Sequence, residues 1–415
     1  MTTSELDELF VWAWLPGAAE PVVTGRVFRS GTRFRFQYGR SYLGRPGAVA
    51  LYAPELPLVR GPIDPVNNLD IAGCLDDAGP ASWGQRIILA RHQGRLDKTS
   101  DTGDLDRLVY FAESGSDRIG ALDFQASATQ YVPRTAATRA DLGQLLTAAD
   151  DLEEGRPLTP ALAEALLRGT SIGGARPKAL LDDGDRKLVA KFSSTTDTYP
   201  VVRAEGVAMN LARRVGLNVA ATEVISVLNR DVLLVDRFDR GPGATRRMMV
   251  SALTMLGLHE MVARYATYVD LADLIRARFT DPGATLRELF TRIVFNVAVG
   301  NTDDHARNHA AFWDGDMLTL TPAYDVCPQV RSGGETAQAM AIGRGGERDS
   351  RFSVCVNAAA EYLLTRGQAK EIVDRVVSTI HEQWDDAAEE ALLTDADRLA
   401  LWHRQILNPS VFYDA

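Results

Sequence analysis

Three cysteines in 415 residues, Cys74, Cys327 and Cys355, are too few and too scattered for a disulfide framework, which predicts a chain working reduced, in a cytoplasm. Histidine is scarce as well, six in all, so a His/Cys metal centre has few ligands to draw on. No apolar run approaches the roughly 20 residues of a membrane helix. The opening stretch, Met1-Thr2-Thr3-Ser4-Glu5-Leu6-Asp7, is acidic where a signal peptide would be basic, so neither membrane span nor leader is expected. A basic excess is also absent: 45 Lys and Arg stand against 55 Asp and Glu, a formal charge of -10. A chain that grips nucleic acid by its phosphates needs the opposite balance, and a basic partner is better matched. There are no internal repeats and no low-complexity tail. What is present, 46% hydrophobic and 24% charged residues, suits a soluble globular protein with room for two or three domains.

One stretch carries chemistry. Thr285 to Val299 has Leu286, Leu289, Phe290, Ile293, Val294 and Val297 at helical spacing, with Thr285 and Glu288 reading as a capping box. Gly300 stops this core helix, since a left-handed C-terminal cap favours glycine. A polar loop follows at once, Asn301-Thr302-Asp303-Asp304-His305-Ala306-Arg307-Asn308. Ala310 to Trp313, a turn at Asp314-Gly315-Asp316, and Met317 to Thr321 then predict a hairpin leading into Pro322-Ala323-Tyr324-Asp325. Two acid-bearing segments are thereby set side by side.

Phosphoryl transfer needs such an arrangement, because a nucleoside triphosphate requires a magnesium ion held by oxygen ligands and one further carboxylate facing the incoming hydroxyl. Asp303 and Asn308 stand at the interval of the protein-kinase catalytic loop, D-x-x-x-x-N, and Asp325 falls where a kinase places its metal-binding aspartate. On this reading Asp303 is the base or orienter of the hydroxyl, Asn308 a metal ligand through its side-chain carbonyl, and Asp325 the principal ligand. Two other readings are open at this point. Asp and Asn form turns by bonding their own backbone. His305 and His309, with His259, could serve a transition metal, although no Cys or His completes four ligands.

Upstream, Thr138 to Asp150 and Thr159 to Arg168 read as helices, the second with Thr159 as N-cap, Pro160 first and Gly169 just past the end. Then comes Ser171-Ile172-Gly173-Gly174-Ala175-Arg176-Pro177-Lys178. Adjacent glycines let backbone N–H groups turn towards a phosphate and Lys178 adds a charge; a Gly-Gly hairpin turn fits the same letters. Lys187 to Phe192 is a strand holding Lys191 among apolar residues, as a kinase strand holds its phosphate-binding lysine, or else a solvated edge. Arg203 to Val215 is an amphipathic helix stopped by Gly216. Near its start Glu205 either pairs with Lys191 or favours the helix dipole. Val219 to Val227 and Asp231 to Phe238 are strands. In a bilobal kinase the strand leaving the small lobe offers backbone groups to the adenine, which makes Asp236, Arg237 and Phe238 the candidate hinge.

The N-terminal stretch is β-rich, with strands at Phe10 to Trp14, Val22 to Phe28, Phe34 to Tyr38 and Val49 to Tyr52, short helices about 83 to 94 and 104 to 112, and a returning strand at Ile119 to Phe124. Beyond the hinge, Met248 to Leu258, Tyr268 to Phe279, Gln368 to Trp384 and Asp395 to Ile406 read as helices. Residues 331 to 351, rich in Gly, Arg and Ser, read as a mobile surface loop. The expected fold is α+β and bilobal, protein-kinase-like, in three parts: an N-terminal β-rich subdomain over 1–135, a small lobe over 136–245, and an all-helical C-terminal lobe over 246–415.

Taken in order, Ser171-Ile172-Gly173-Gly174-Ala175-x-Pro177-Lys178, the Lys191 strand, Asp236-Arg237-Phe238-Asp239-Arg240, Asn301-Thr302-Asp303-Asp304-His305-x-x-Asn308 and Pro322-Ala323-Tyr324-Asp325-Val326 resemble the HipA family of bacterial serine/threonine kinases, the toxin halves of toxin–antitoxin pairs. The likeness runs from about Gly25 to Trp384. It implies ATP and Mg2+ as cofactors, with Ile172, Gly173, Gly174, Ala175, Arg176, Pro177 and Lys178 over the phosphates, Lys191 on them, and Asp236, Arg237 and Phe238 at the adenine. It implies His305, Asn308, Tyr324 and Asp325 around the metal, and Asp303 as the active-site residue. Ser171 matches the family's autophosphorylation serine; a phosphoserine there would place nearly two negative charges where ATP phosphates lie and eject the loop. The implied partners are a small helix-turn-helix antitoxin, HipB-like, through which alone the chain would meet DNA, and a protein substrate, aminoacyl-tRNA synthetases being among those of the family. The implied phenotype is arrested translation and persistence. Arg176 departs from the family, which usually has Gln there. A small-molecule kinase of aminoglycoside-phosphotransferase type shares the same logic but needs an acidic cleft where residues 331 to 351 supply arginines. An inactive corepressor module that only binds an antitoxin is the third possibility.

Overall fold

The computed structural model describes residues 6–94, 100–134, 137–138, 142–157, 159, 162, 166, 176–184, 186–194, 197–331 and 333–414. The N-terminal sheet comprises β1 (Glu8–Ala13), β2 (Val22–Ser30), β3 (Arg33–Tyr38), β4 (Pro62–Ile63) and β5 (Leu122–Gln125), antiparallel in the order β4-β3-β2-β1-β5. Strict alternation puts Phe34, Phe36 and Tyr38 of β3 on the buried face. Gly25 is required where β2 crosses β3, because a Cβ there would stand 2.2 Å from the Gln37 carbonyl. Val49 to Tyr52 is not a strand. The Tyr38 hydroxyl accepts the Leu51 N–H and donates to the Leu56 carbonyl, and the Trp313 indole N–H donates to the Ala50 carbonyl, so side chains satisfy groups a ladder would have used.

The second sheet runs β6 (Ala137–Thr138), β7 (Lys178–Asp183), β8 (Arg186–Phe192), β10 (Arg230–Asp236) and β9 (Thr222–Val227) in spatial order. One face packs on α1 (Ser82–Gln93), α2 (Arg107–Glu113) and α3 (Leu142–Glu153) in a cluster joining Trp83, Ile87, Tyr110, Leu145 and Leu152 to Leu181, Leu188, Phe192 and Leu234. The other face meets α4 (Val201–Val215), whose Gly206 lets it approach β9: a Cβ there would lie 2.4 Å from Val224. The helix read over Thr159 to Arg168 lies largely outside the described residues.

The C-terminal lobe is built on α5 (Tyr268–Arg278), α6 (Pro282–Val299), α7 (Arg366–Glu390) and α8 (Asp395–Leu401), and is helical apart from a three-stranded sheet, β11 (Met249–Ser251), β12 (Ala310–Trp313) and β13 (Leu318–Leu320). Met248 to Leu258 therefore departs from its helical reading: Met249 to Ser251 pair with β12, and only Ala252–Met255, capped by Ser251, is helical. A short apolar run is ambiguous between the two periods, and the β12 partner decides it. Helix α6 begins earlier than its period suggested, with Asp281 as N-cap accepting from Ala284 and Pro282 at the first position; Glu288 instead binds Arg292 at 3.0 Å.

Residues 331 to 351 are not a loose loop where described. Gln338, Met340, Ala341, Ile342 and Ser350 are buried, and backbone bonds join Gln338 to Arg348, Ile342 to Glu347 and Ala339 to Thr302. Two of its four arginines are ion-paired, Arg344 to Asp273 and Glu361, Arg351 to Glu335 and Asp414, while Arg331 and Arg348 donate to the Gly334 and Ala339 carbonyls.

Candidate active site

The left-handed cap at Gly300 (φ 71°) turns the chain out of α6, and the Asn301 N–H closes the helix on the Asn296 carbonyl at 2.9 Å. Polar residues of α6 then hold the loop. Asn301 donates to the Asn296 side chain at 3.0 Å, and Asn296 donates to Asp304 at 2.7 Å. The Tyr268 hydroxyl reaches the same Asp304 oxygen at 2.6 Å and His309 lies 2.8 Å from it. Burial alone would raise the Asp304 pKa, but His309 and these hydrogen bonds outweigh it and hold the carboxyl below its usual value. Asp304 is the anchor that sequence reasoning missed. The doublet Asp303-Asp304 was the available signal: neighbouring side chains in extended backbone point opposite ways, and here one is buried while Asp303 is exposed.

Asp303 carries no such anchor, and its pKa is raised by burial of part of its carboxyl and by the Asp325 and Asp304 charges, with His305 opposing. A carboxylate made more basic in this way is suited to accept a hydroxyl proton. Asn308 is buried and turns its amide N–H2 to the Asp303 carbonyl at 3.3 Å, which leaves its side-chain oxygen as the metal-ligand candidate. The Tyr324 hydroxyl donates to the Arg307 carbonyl at 2.7 Å, so the two polar segments are tied together beside Asp325. Phe238 packs between Tyr324 and Phe312, with ring centroids 5.7 and 6.0 Å away.

Asp325 has φ 60°, a left-handed backbone that few residues other than glycine adopt and that aspartate tolerates better than most. Its carboxylate lies 2.5 Å from the Lys191 ammonium, and Glu205 of α4 holds the same ammonium at 2.5 Å. Lys191 keeps Asp325 well below the usual carboxylate range, burial acting against it. The Glu205 question left open by the sequence is thus answered by pairing. Lys178 is the direct cross-strand neighbour of Lys191 and is 5% exposed. Burial first, and the Lys191 charge second, push its pKa down to about 8. Trp83 of α1 fixes this strand from behind, its indole donating to the Lys178 carbonyl at 3.1 Å.

The remaining readings fare unequally. Arg176 is paired with Asp197, and the Pro177 carbonyl accepts the Phe192 N–H at 3.0 Å. Ser171, Ile172, Gly173, Gly174 and Ala175 lie outside the described residues. The side chains of the hinge are engaged elsewhere: Asp236 binds Arg186 at 2.7 Å, while the buried Arg237 binds Asp239, Asp117 and the Arg118 carbonyl. The Asp236 and Arg237 N–H groups are taken as well, by the Ala221 and Lys187 carbonyls at 2.8 Å each, and the Phe238 ring lies against Tyr324 and Phe312. The transition-metal reading is overturned. His309 belongs to the Asp304 network, His259 accepts from Met261 in its own turn, and no group of three His, Cys, Asp or Glu among the described residues is placed to hold a metal. Magnesium fits the oxygens of Asp325 and Asn308 better, since it takes hard oxygen donors.

A strand lysine bonded to a helix glutamate, above an aspartate-to-asparagine loop and a second aspartate one hairpin on, is the layout of an α+β protein-kinase-like fold. The HipA-like C-terminal domain family matches residues 170–384, more than half of the chain, and the chain belongs to the HipA family. Among curated proteins it is 28% identical over 269 residues to a putative kinase, Y4mE, of Sinorhizobium fredii, and 26% identical over 183 residues to the serine/threonine-protein kinase toxin HipA of Shewanella oneidensis. The matches cover 59% and 38% of this chain and span 61% and 42% of those relatives. Among solved structures, the Shewanella oneidensis complex of HipA, HipB and operator DNA aligns with a TM-score of 0.66 at 20% identity, over 96% of this chain and 95% of that one.

The two acids of the doublet are separable by experiment. Asp304→Ala strips the acceptor from Tyr268, Asn296 and His309 and is expected to cost about 3 kcal/mol or more of stability in denaturant unfolding. Asp303→Ala, at an exposed position, is expected to stay within about 0.5 kcal/mol of the parent. Equal effects would mean that the loop is not anchored as described.

Proposed function

We propose that the chain is an ATP-dependent serine/threonine-protein kinase and the toxin of a toxin–antitoxin pair. The observation that carries this is the convergence of Lys191, Glu205 and Asp325 from both lobes beside an exposed Asp303 of raised pKa. Asp303 takes the proton of the acceptor hydroxyl. Lys191 and Lys178 bear on the phosphates, and main chain at Asp236, Arg237 and Phe238 meets the adenine, with Ile172 to Lys178 as the glycine-rich lid. Asp325 and Asn308 would hold the magnesium ion, which supplies charge neutralisation on the phosphates. His305 and Tyr324 complete the surroundings. The parts 1–135, 136–245 and 246–415 serve as antitoxin-binding subdomain, small lobe and catalytic lobe.

The names of the Shewanella relative and its complex support the toxin role and a HipB-like helix-turn-helix partner, with DNA reached through that partner, as the formal charge of -10 also favours. The substrate in this reading is a cytoplasmic translation component such as an aminoacyl-tRNA synthetase, and Ser171 is the self-phosphorylation site that ends activity. Among the described residues no helix is long and apolar enough to cross a membrane.

Asp303→Ala and Asp325→Ala are each expected to abolish transfer of labelled phosphate from ATP to protein while far-ultraviolet circular dichroism stays that of the parent; turnover in either variant would reject the assignment. Incubation with ATP and Mg2+ is expected to add one phosphate at Ser171, read by peptide mass spectrometry, and phosphate only at another residue would remove the self-inactivation step. Affinity for ATP is expected to fall as pH rises through about 8, because Lys178 sheds its proton there and with it the charge that attracts phosphate. Titration with a fluorescent nucleotide checks this, and Lys178→Met should flatten the profile.

A further inference from the structure

The catalytic loop is gripped from outside the two lobes. Asp77 ends the short helix Gly73–Asp76 in the N-terminal part of the chain, and that helix is itself seated by the buried Glu55, which accepts the Gly73 and Cys74 N–H groups at 2.9 and 2.8 Å. The Asp77 carboxylate accepts both the N–H and the hydroxyl of Ser251, each at 2.7 Å. Ser251 pairs with Ala310 in the β11–β12 register, and the next residue, Ala252, donates its N–H to the His309 carbonyl at 2.7 Å. The exit of the loop is therefore fastened to Asp77 through Ser251.

The same carboxylate faces the middle of the loop. Arg307 lies 3.8 Å from Asp77 and 3.9 Å from Asp76, and Glu260 binds the guanidinium as well. The Arg307 carbonyl is the group that receives the Tyr324 hydroxyl, immediately before Asp325. A continuous series of contacts thus runs from the N-terminal part, through Arg307 and Tyr324, to the acid assigned to the metal.

We propose that Asp77 is a positioning residue for phosphate transfer: it sets where the Asp303–Asn308 loop stands against Asp325, so that the N-terminal part governs the rate without touching nucleotide. This rests on the kinase reading above. A carboxylate is needed because only an acceptor with two oxygens takes both Ser251 donors and still presents negative charge to Arg307.

The test uses the full chain with Asp77→Asn, Arg307→Ala and the double variant, and reads kcat and KM for ATP together with backbone hydrogen exchange over residues 301–309. Each single variant is expected to lower kcat about 10- to 100-fold, the effect of a small misplacement of reacting groups. The KM for ATP is expected to stay within about twofold, since nucleotide contacts are untouched. Exchange over 301–309 rises, and the double variant is no worse than the poorer single one, because both cut the same connection. Asp64→Asn, at a surface pair with Arg35, is the control and changes neither readout. Parental kcat in correctly folded Asp77→Asn, or losses that multiply in the double variant, would overturn the proposal; so would a lowered melting temperature with parental exchange in the loop. Should Asp77→Asn not fold, Arg307→Ala alone decides the matter by the same two readouts. If the parent transfers no phosphate, the kinase reading fails by itself, and the exchange data still decide whether Asp77 holds the loop.

Discussion

One ammonium group between two carboxylates, Lys191 with Glu205 on one side and Asp325 on the other, decides how the lobes meet. Taking the Lys191 and Glu205 charges out of water is costly, and the cost is offset where opposite charges stand in good geometry; Asp325 keeps part of its side chain in solvent. Glu205 and Lys191 pair within the sheet-and-helix lobe, and Asp325 of the helical one adds the second carboxylate, so part of the offset comes from the contact between the lobes. Asp325 makes that contact from a left-handed backbone.

Around that contact the acids divide between those held by neighbours and one left exposed. Asp304 is consumed by Tyr268, Asn296 and His309, all of them buried or drawn from the core helices, and this rigidity lets its neighbour stay exposed and basic. The two lysines divide in the same way. Lys191 is locked by its partners, while Lys178, buried beside it, is brought down to about 8 and is the more responsive of the pair. Preorganisation of this kind is what electrostatic catalysis demands, because dipoles already in place need no reorganisation during the reaction.

Much of this was legible in the chain. The 3.6-residue period of Leu286 to Val297 and the glycine after Val299 located the helix that launches the loop, and their spacing picked out Asp303, Asn308 and Asp325, two acids and an amide that the fold brings near one another. β-rich runs bounded by Gly and Pro located β1, β2 and β3. What failed did so for identifiable reasons. Met249 to Ser251 is too short to show a period, and its β12 partner lies far along the chain. Val49 to Tyr52 looks like a strand, but its backbone groups are taken by tyrosine and tryptophan side chains from elsewhere. Residues 331 to 351 have a loop's composition yet bury Met340 and Ile342, since Gly and Ser content speaks of backbone conformation and not of packing. The anchoring role of Asp304 and the grip of Asp77 on Ser251 depend on contacts across the fold, which no local pattern encodes.

The indole of Trp83 on the Lys178 carbonyl has a consequence for how the molecule can be divided. The stretch that defines the family begins at residue 170, whereas the helices covering the underside of its first sheet, α1, α2 and α3, all come earlier. A fragment cut at that family boundary would lay Leu181, Leu188, Ala190 and Phe192 open to water on one face. It would be a sticky half-shell prone to aggregate, so the inheritable unit and the foldable unit are different lengths of the same polypeptide.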